Sequence, residues 1–182
     1  MAASAVTRTL TTAFAGLALA AAAPALPATA AESGAAGVHP DGPFAFGDQA
    51  AIAFPAGAYP EEYDWDDMRD VTFAVDSVER SGPESVQYRL VIETPELGRV
   101  FGVADLRPQC FADGGASDTP TRLPGNVELE SGTYIYALEC AVPADARELE
   151  IGFDQPDPHG EPLAMVFGGT AEAAEATEAD GS

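Results

Sequence analysis

Between Gly132 and Asp154 apolar side chains recur at every second residue, and this alternation limits the fold more than any other stretch of the chain. Tyr134, Tyr136, Leu138, Cys140 and Val142 share one phase. A β-strand turns successive side chains to opposite faces, so a period of two means a strand with one face buried. Pro143-Ala-Asp-Ala146 interrupts the pattern, after which Leu149, Ile151 and Phe153 resume it with Glu148, Glu150 and Asp154 opposed to them. Two such runs joined by a Pro/Asp turn predict a hairpin at the heart of an antiparallel sheet.

The same alternation appears upstream. Val71, Phe73 and Val75 alternate with Thr72, Ala74 and Asp76, and Val78 falls out of phase, which predicts a bulge at Asp76-Ser77. Ser81-Gly-Pro-Glu84 reads as a turn, and Val86, Tyr88, Leu90 and Ile92 mark a second strong strand. Shorter strands are expected at Phe44–Phe54, Val100–Ala104, Val127–Leu129 and Leu163–Phe167, with Pro55 to Asp70 and Ala112 to Pro124 as long loops. Eight or nine short strands, regular turn signals and no convincing helix indicate an all-β sandwich or barrel.

The chain ends divide from this core. Arg8, the apolar run Leu10 to Ala23 and the small-residue Ala28-Thr-Ala30 form a secretory signal peptide over 1–31, so the expected location is extracellular. The run is short for a membrane span, and no Cys near the cleavage site suggests a lipid anchor. Residues 32–43 are Gly/Ala/Pro-rich and read as a flexible lead-in, 44–168 as the sandwich, and 169–182 as a disordered acidic tail.

Acidity narrows the partners. The chain has 30 carboxylate residues against 8 basic ones, all of them Arg, for a formal charge of −22. Such a field repels nucleic-acid phosphates and anionic lipid headgroups, so neither is an expected partner. Solubility of an exported protein is the plain reading of the charge; high-salt adaptation and capture of a cationic partner are the sharper ones. Cys110 and Cys140 are the only cysteines. In an oxidising compartment they are expected to pair within the chain, an intermolecular bridge or two free thiols being the alternatives. Without clustered His they offer no zinc-site spacing.

Three segments carry a family resemblance: Val71-Thr-Phe-Ala-Val-Asp-Ser-Val78, Tyr88-Arg-Leu-Val-Ile-Glu-Thr94, and Leu129-Glu-Ser-Gly-Thr-Tyr134 leading to Glu139-Cys-Ala-Val-Pro143, completed by Leu149-Glu-Ile151. Their order resembles the immunoglobulin-like domains of unknown function in secreted proteins and lipoproteins of Gram-positive bacteria, with the telokin-like small secreted antigens nearby. The resemblance implies an antiparallel immunoglobulin-like β-sandwich of about eight strands and no known activity. Antibody-type domains space their Cys pair further apart and bury a Trp between them. Here Trp65 precedes both Cys, so the bridge is not expected to be the usual pin between sheets.

The most site-like segment is Glu61-Glu-Tyr-Asp-Trp-Asp-Asp-Met-Arg-Asp70, with six carboxylates in ten residues. Asp64, Asp66 and Asp67 are its candidate calcium ligands, since hard cations take carboxylate oxygens. The EF-hand template fails, because Arg69 stands where that loop requires Gly when counted from Asp64. The other readings are a solvated acidic loop with Tyr63 and Trp65 folded against the sandwich edge, and a contact surface for a basic partner anchored by those two aromatics. His39 lies in the lead-in and His159 in a Pro-rich turn, and neither stands beside a recognisable nucleophile. No nucleophile-elbow, zinc-protease or phosphate-loop motif occurs. The expectation is therefore a secreted, non-catalytic, monomeric binding domain without a cofactor, its partner an extracellular protein or small ligand. The alternative is a cation- or small-ligand-binding domain using residues 61–70.

Overall fold

A computed structural model describes residues 37–170. The signal peptide expected over 1–31 and nearly all of the acidic tail lie outside these residues. Strands β1 (Gly37–Val38), β2 (Phe44–Ala45), β3 (Gln49–Ala56), β4 (Asp64–Gly82), β5 (Ser85–Thr94) and β6 (Phe101–Gly102) come first. They are followed by β7 (Gln109–Ala112), β8 (Gly115–Ala116), β9 (Glu128–Leu129), β10 (Gly132–Ala141), β11 (Glu148–Pro156) and β12 (Pro162–Thr170). One sheet runs in the order β10-β5-β4-β3; the other runs β1-β12-β11-β7-β8, with β2 also pairing β12, and β6 and β9 form a small separate ladder. No helix among the described residues is long and apolar enough to cross a membrane.

The protein is an all-β sandwich. The inward phase of each long strand supplies its core: Val71, Phe73 and Val75 from β4, Leu90 and Ile92 from β5, Ile151 from β11 and Phe167 from β12 are fully buried. Phe73 is the joint between the sheets, its ring 5.9 Å from that of Phe153 on β11 and 6.3 Å from that of Phe101. Phe153 in turn stacks on Phe167 at 5.9 Å. The bulge expected at Asp76-Ser77 is present: the β4–β5 register slips between Asp76 and Glu79, and Ser77 takes a positive φ of 48°.

The two runs of the opening pattern do not form a hairpin. β10 pairs with β5 in one sheet, whereas β11 pairs with β12 and β7 in the other. Residues 142–147 are thus a corner between sheets. Both strands turn apolar side chains to the same core from opposite sides, and periodicity cannot distinguish that from two neighbours in one sheet. Asp113 closes the corner, its Oδ1 accepting from the N–H groups of Arg147 and Glu148, both at 3.0 Å.

The disulfide follows from the same topology. Cys110 on β7 and Cys140 on β10 are bonded, with Cα atoms 6.3 Å apart. Since β7 and β10 belong to different sheets, the bridge does pin sheet to sheet, against the expectation from Cys spacing. Spacing in the chain measures loop length and says nothing about which layers the loop connects.

The described end of the flexible lead-in expected over 32–43, from Gly37 onward, is instead built into the sandwich. β1 lies parallel to β12, and His39 is buried, its Nε2 donating to Ala51 O at 2.9 Å and its Nδ1 accepting from Asp41 N at 3.2 Å. One imidazole thereby joins the edge beside β12 to β3 in the opposite sheet, a tertiary role that low local hydrophobicity conceals. At the other end β12 runs on through Gly169 and Thr170, paired with Leu149 and Glu148, so these two residues of the tail expected over 169–182 are strand.

Asp118 ties the long 117–127 connection to β10: Oδ2 accepts from Ala141 N at 2.9 Å and Oδ1 from Thr119 N at 2.6 Å. These N–H groups, that of Ala141 first, hold the Asp118 carboxyl below its ordinary value, and those of Glu148 and Arg147 do the same for Asp113. A carboxylate lowered by folding stabilises the fold above its unfolded value and ceases to do so as pH falls through the folded one. The melting temperature is therefore expected to fall on acidification below the ordinary aspartate value of 3.8. Asp113→Asn and Asp118→Asn, melted across the same pH series, should each start less stable at neutral pH and show a shallower acid decline.

Candidate functional site

At one end of the sandwich the β3–β4 connection, the β5–β6 turn and the β11–β12 turn come together. The connection is built tightly. Gly57 sits at φ 131°, and a Cβ there would lie 2.5 Å from Glu62 O, so only glycine fits. Gly57 N donates to Leu97 O at 2.8 Å, and Pro60–Glu62 forms a single 3-10 turn. Arg99 locks this arrangement: its Nη1 donates to Pro55 O and Gly57 O at 2.7 Å each, while its guanidinium lies 4.4 Å over the Tyr63 ring.

From Asp64 onward the expected acidic loop is strand. β3 and β4 stay in register to Pro55–Met68, then jump to Ala56–Asp64, which leaves 65–67 bulged from the ladder. The bulge carries Trp65 across to the β11–β12 turn, where its ring stacks on His159 with centroids 4.9 Å apart and planes 2° from parallel. Asp157 shapes that turn, its Oδ1 accepting from His159 N at 2.8 Å and Glu161 N at 2.9 Å. Tyr63 meets Trp65 edge-on at 6.2 Å. Trp65 remains 48 % exposed and Tyr59, close by in sequence, 61 %.

The strand also decides the fate of the candidate metal ligands. Asp67 grips Arg69 with both oxygens, Oδ2–Nη2 at 2.7 Å and Oδ1–Nε at 3.2 Å, and this pairing holds its carboxyl below the ordinary range. Asp64 Oδ1 accepts from Asp66 N at 3.0 Å. Arg69 further donates to Glu96 O at 3.3 Å. Asp64, Asp66 and Asp67 are strung along a bulged edge, and no group of three or more His, Cys, Asp or Glu gathers around a common point among the described residues.

Tyr63 and Trp65 were legible as the two aromatics of the acidic segment. Arg99 and His159 were not, because each reaches the cluster from a distant strand end and neither belongs to a local motif. The resulting surface is a half-exposed indole, stacked on His159 of the turn that Asp157 and Glu161 also shape, on a segment that itself carries six carboxylates between residues 61 and 70. Such a surface attracts a cation twice, through the ring quadrupole and through the carboxylate field. Hollows among the described residues include about 340 Å³ beside Arg107 and Phe111, about 430 Å³ beside Tyr88 and Leu138, and about 350 Å³ beside Tyr134 and Tyr136.

Fold and site together define a class: a disulfide-pinned all-β sandwich with an aromatic, acidic end. No family model, curated protein or solved structure matches the chain.

Proposed function

We propose that this is a secreted, immunoglobulin-like interaction domain without catalytic activity, and that its Trp65 end is the contact surface for a cationic protein partner. The observation that carries the reading is the Trp65–His159 stack, an indole held by a neighbouring turn yet half open to solvent, on an acidic segment of the chain. Aromatic residues fixed in this way lose little entropy on binding and serve as anchors. The charge of −22 draws a basic partner to the surface and makes the encounter dependent on salt.

Trp65 is the only Trp, so it reports on its own site. Titration with an arginine-rich peptide is expected to shift or quench its emission, with affinity falling at least about tenfold when salt is raised from low to physiological strength. Trp65→Ala should abolish binding followed by calorimetry while changing stability by about 1 kcal/mol, the scale of an exposed aromatic pair. Unchanged affinity in that variant sinks the assignment of the surface. The cation-site alternative is tested in the same cuvette. Because Asp67 is engaged by Arg69, calcium is expected to leave both the emission and the melting temperature where they were, and a calcium-dependent rise in melting temperature would restore that reading.

A further inference from the structure

A second surface lies on a different edge and does not depend on the Trp65 reading. β10 pairs with β5 over ten consecutive residue pairs, from Gly132–Thr94 to Ala141–Ser85, without a bulge. Ala141 N donates away from β5, to Asp118, while the next amide, Val142 N, donates toward it, to Glu84 O. Successive residues of a strand point their backbone groups to opposite sides, so the N–H and C=O groups of Thr133, Ile135, Ala137 and Glu139 face outward. No strand among the described residues pairs with that edge; the 117–127 connection flanks it, held to Ala141 by Asp118 and to the Tyr136 hydroxyl by Asn126 O.

The β3 edge of the same sheet and the β12 side of the other are guarded. On β3 the carbonyl of Ala51 is taken by His39 and that of Pro55 by Arg99, and Pro55 has no N–H to offer. β12 is covered by β1 and β2. Sheet proteins commonly protect exposed edges with Lys, Pro or bulges, and β10 carries none of these between Gly132 and Ala141. Its outward side chains include Ile135, 57 % exposed, and the exposed Glu139. A hollow of about 350 Å³, lined by Pro124, Tyr134 and Tyr136 among others, runs beside the Ile135 half.

We propose that the outer edge of β10 accepts an extended segment of a cationic partner as an added strand. Main-chain hydrogen bonds to the four outward residues supply the pairing. Side chains on one face of a strand recur every second residue, so an apolar residue beside Ile135 places a residue four positions along beside Glu139, where Arg or Lys fits. Charge selects this occupant over a second copy of the chain, since two molecules of charge −22 repel whereas a basic segment is attracted.

The test is amide hydrogen exchange by NMR on the full chain, with the peptide acetyl-Thr-Val-Thr-Val-Thr-Arg-Thr-amide as probe. Exchange at Thr133, Ile135, Ala137 and Glu139 is expected to slow by about tenfold or more, with Tyr134, Tyr136 and Leu138 unchanged. Replacing the peptide's Arg by Glu should weaken binding by about tenfold. N-methylation of its ladder-facing amides should abolish binding, and so should Ala137→Pro, which removes one outward N–H; if that variant does not fold, the methylated peptide carries the same test. Absent or indiscriminate protection, undiminished binding of the methylated peptide, or protection that grows with protein concentration alone each overturns the proposal, the last by making a second copy the occupant.

Discussion

Replacing both Cys110 and Cys140 by Ala is expected to lower the unfolding free energy by about 3–4 kcal/mol, the loop-closure entropy for a cross-link across 30 residues. For a domain of this size that corresponds to a fall in melting temperature on the order of 10 °C. The position of the bridge makes the effect larger than that of a link within one sheet. It joins β7 to β10, and the stretch between them holds the 117–127 connection, which otherwise meets β10 through Asp118 at Ala141 and through Asn126 at the Tyr136 hydroxyl. Without the bridge that side of the sandwich depends on the Asp118–Ala141, Tyr136–Asn126 and Ser117–Cys110 hydrogen bonds. Urea denaturation of the double variant should show a lower midpoint and a larger m-value, because the uncrosslinked unfolded chain exposes more surface. A loss under about 1 kcal/mol would mean that the sheets are held together by packing alone.

Phe73→Ala is expected to destabilise the fold by about 3–5 kcal/mol, as removal of a fully buried aromatic side chain generally does. Total stability of a domain is about 5–15 kcal/mol, so this one change consumes a large part of it. Phe73 reaches Phe153 on the opposite sheet and Phe101 on the small ladder, so its loss leaves a void where three elements meet. Phe73→Leu, which keeps most of the volume, should cost much less, about 1–2 kcal/mol. Both are read from chemical denaturation at neutral pH. Equal costs for the two variants would show that the ring's shape, rather than its volume, is what the core requires.

Much of the strand content was readable in one dimension. Alternation located β4, β5, β10, β11 and β12, and the phase slip at Val78 located the bulge that Ser77 makes. A strand with one wet face needs a two-residue period wherever in a sheet it lies, so the pattern survives any tertiary arrangement. What the pattern leaves open is the partner of each strand. The run from Gly132 to Asp154 therefore looked like a hairpin, and the segment from 55 to 70 looked like a loop because acidic residues hid a strand whose outer face is solvated.

The candidate site divides in the same way. Tyr63, Trp65 and the carboxylates are contiguous, so the sequence alone marked the segment as the one to inspect. Arg99 and His159, which hold the two rings, come from strand ends far away in sequence. The open edge of β10 was equally hidden, since an edge is a property of the sheet and every residue of β10 has the composition of an interior strand. By itself the sequence determined that this chain forms short strands around one core, that it carries a strong negative charge, and that two cysteines are available to join it. The tertiary structure alone decided which strands are neighbours, that the bridge crosses between sheets, that an indole is half exposed, and that one long strand has no strand on its outer side. The reason is physical: alternation and charge act locally, whereas pairing and exposure depend on contacts between residues remote in the chain.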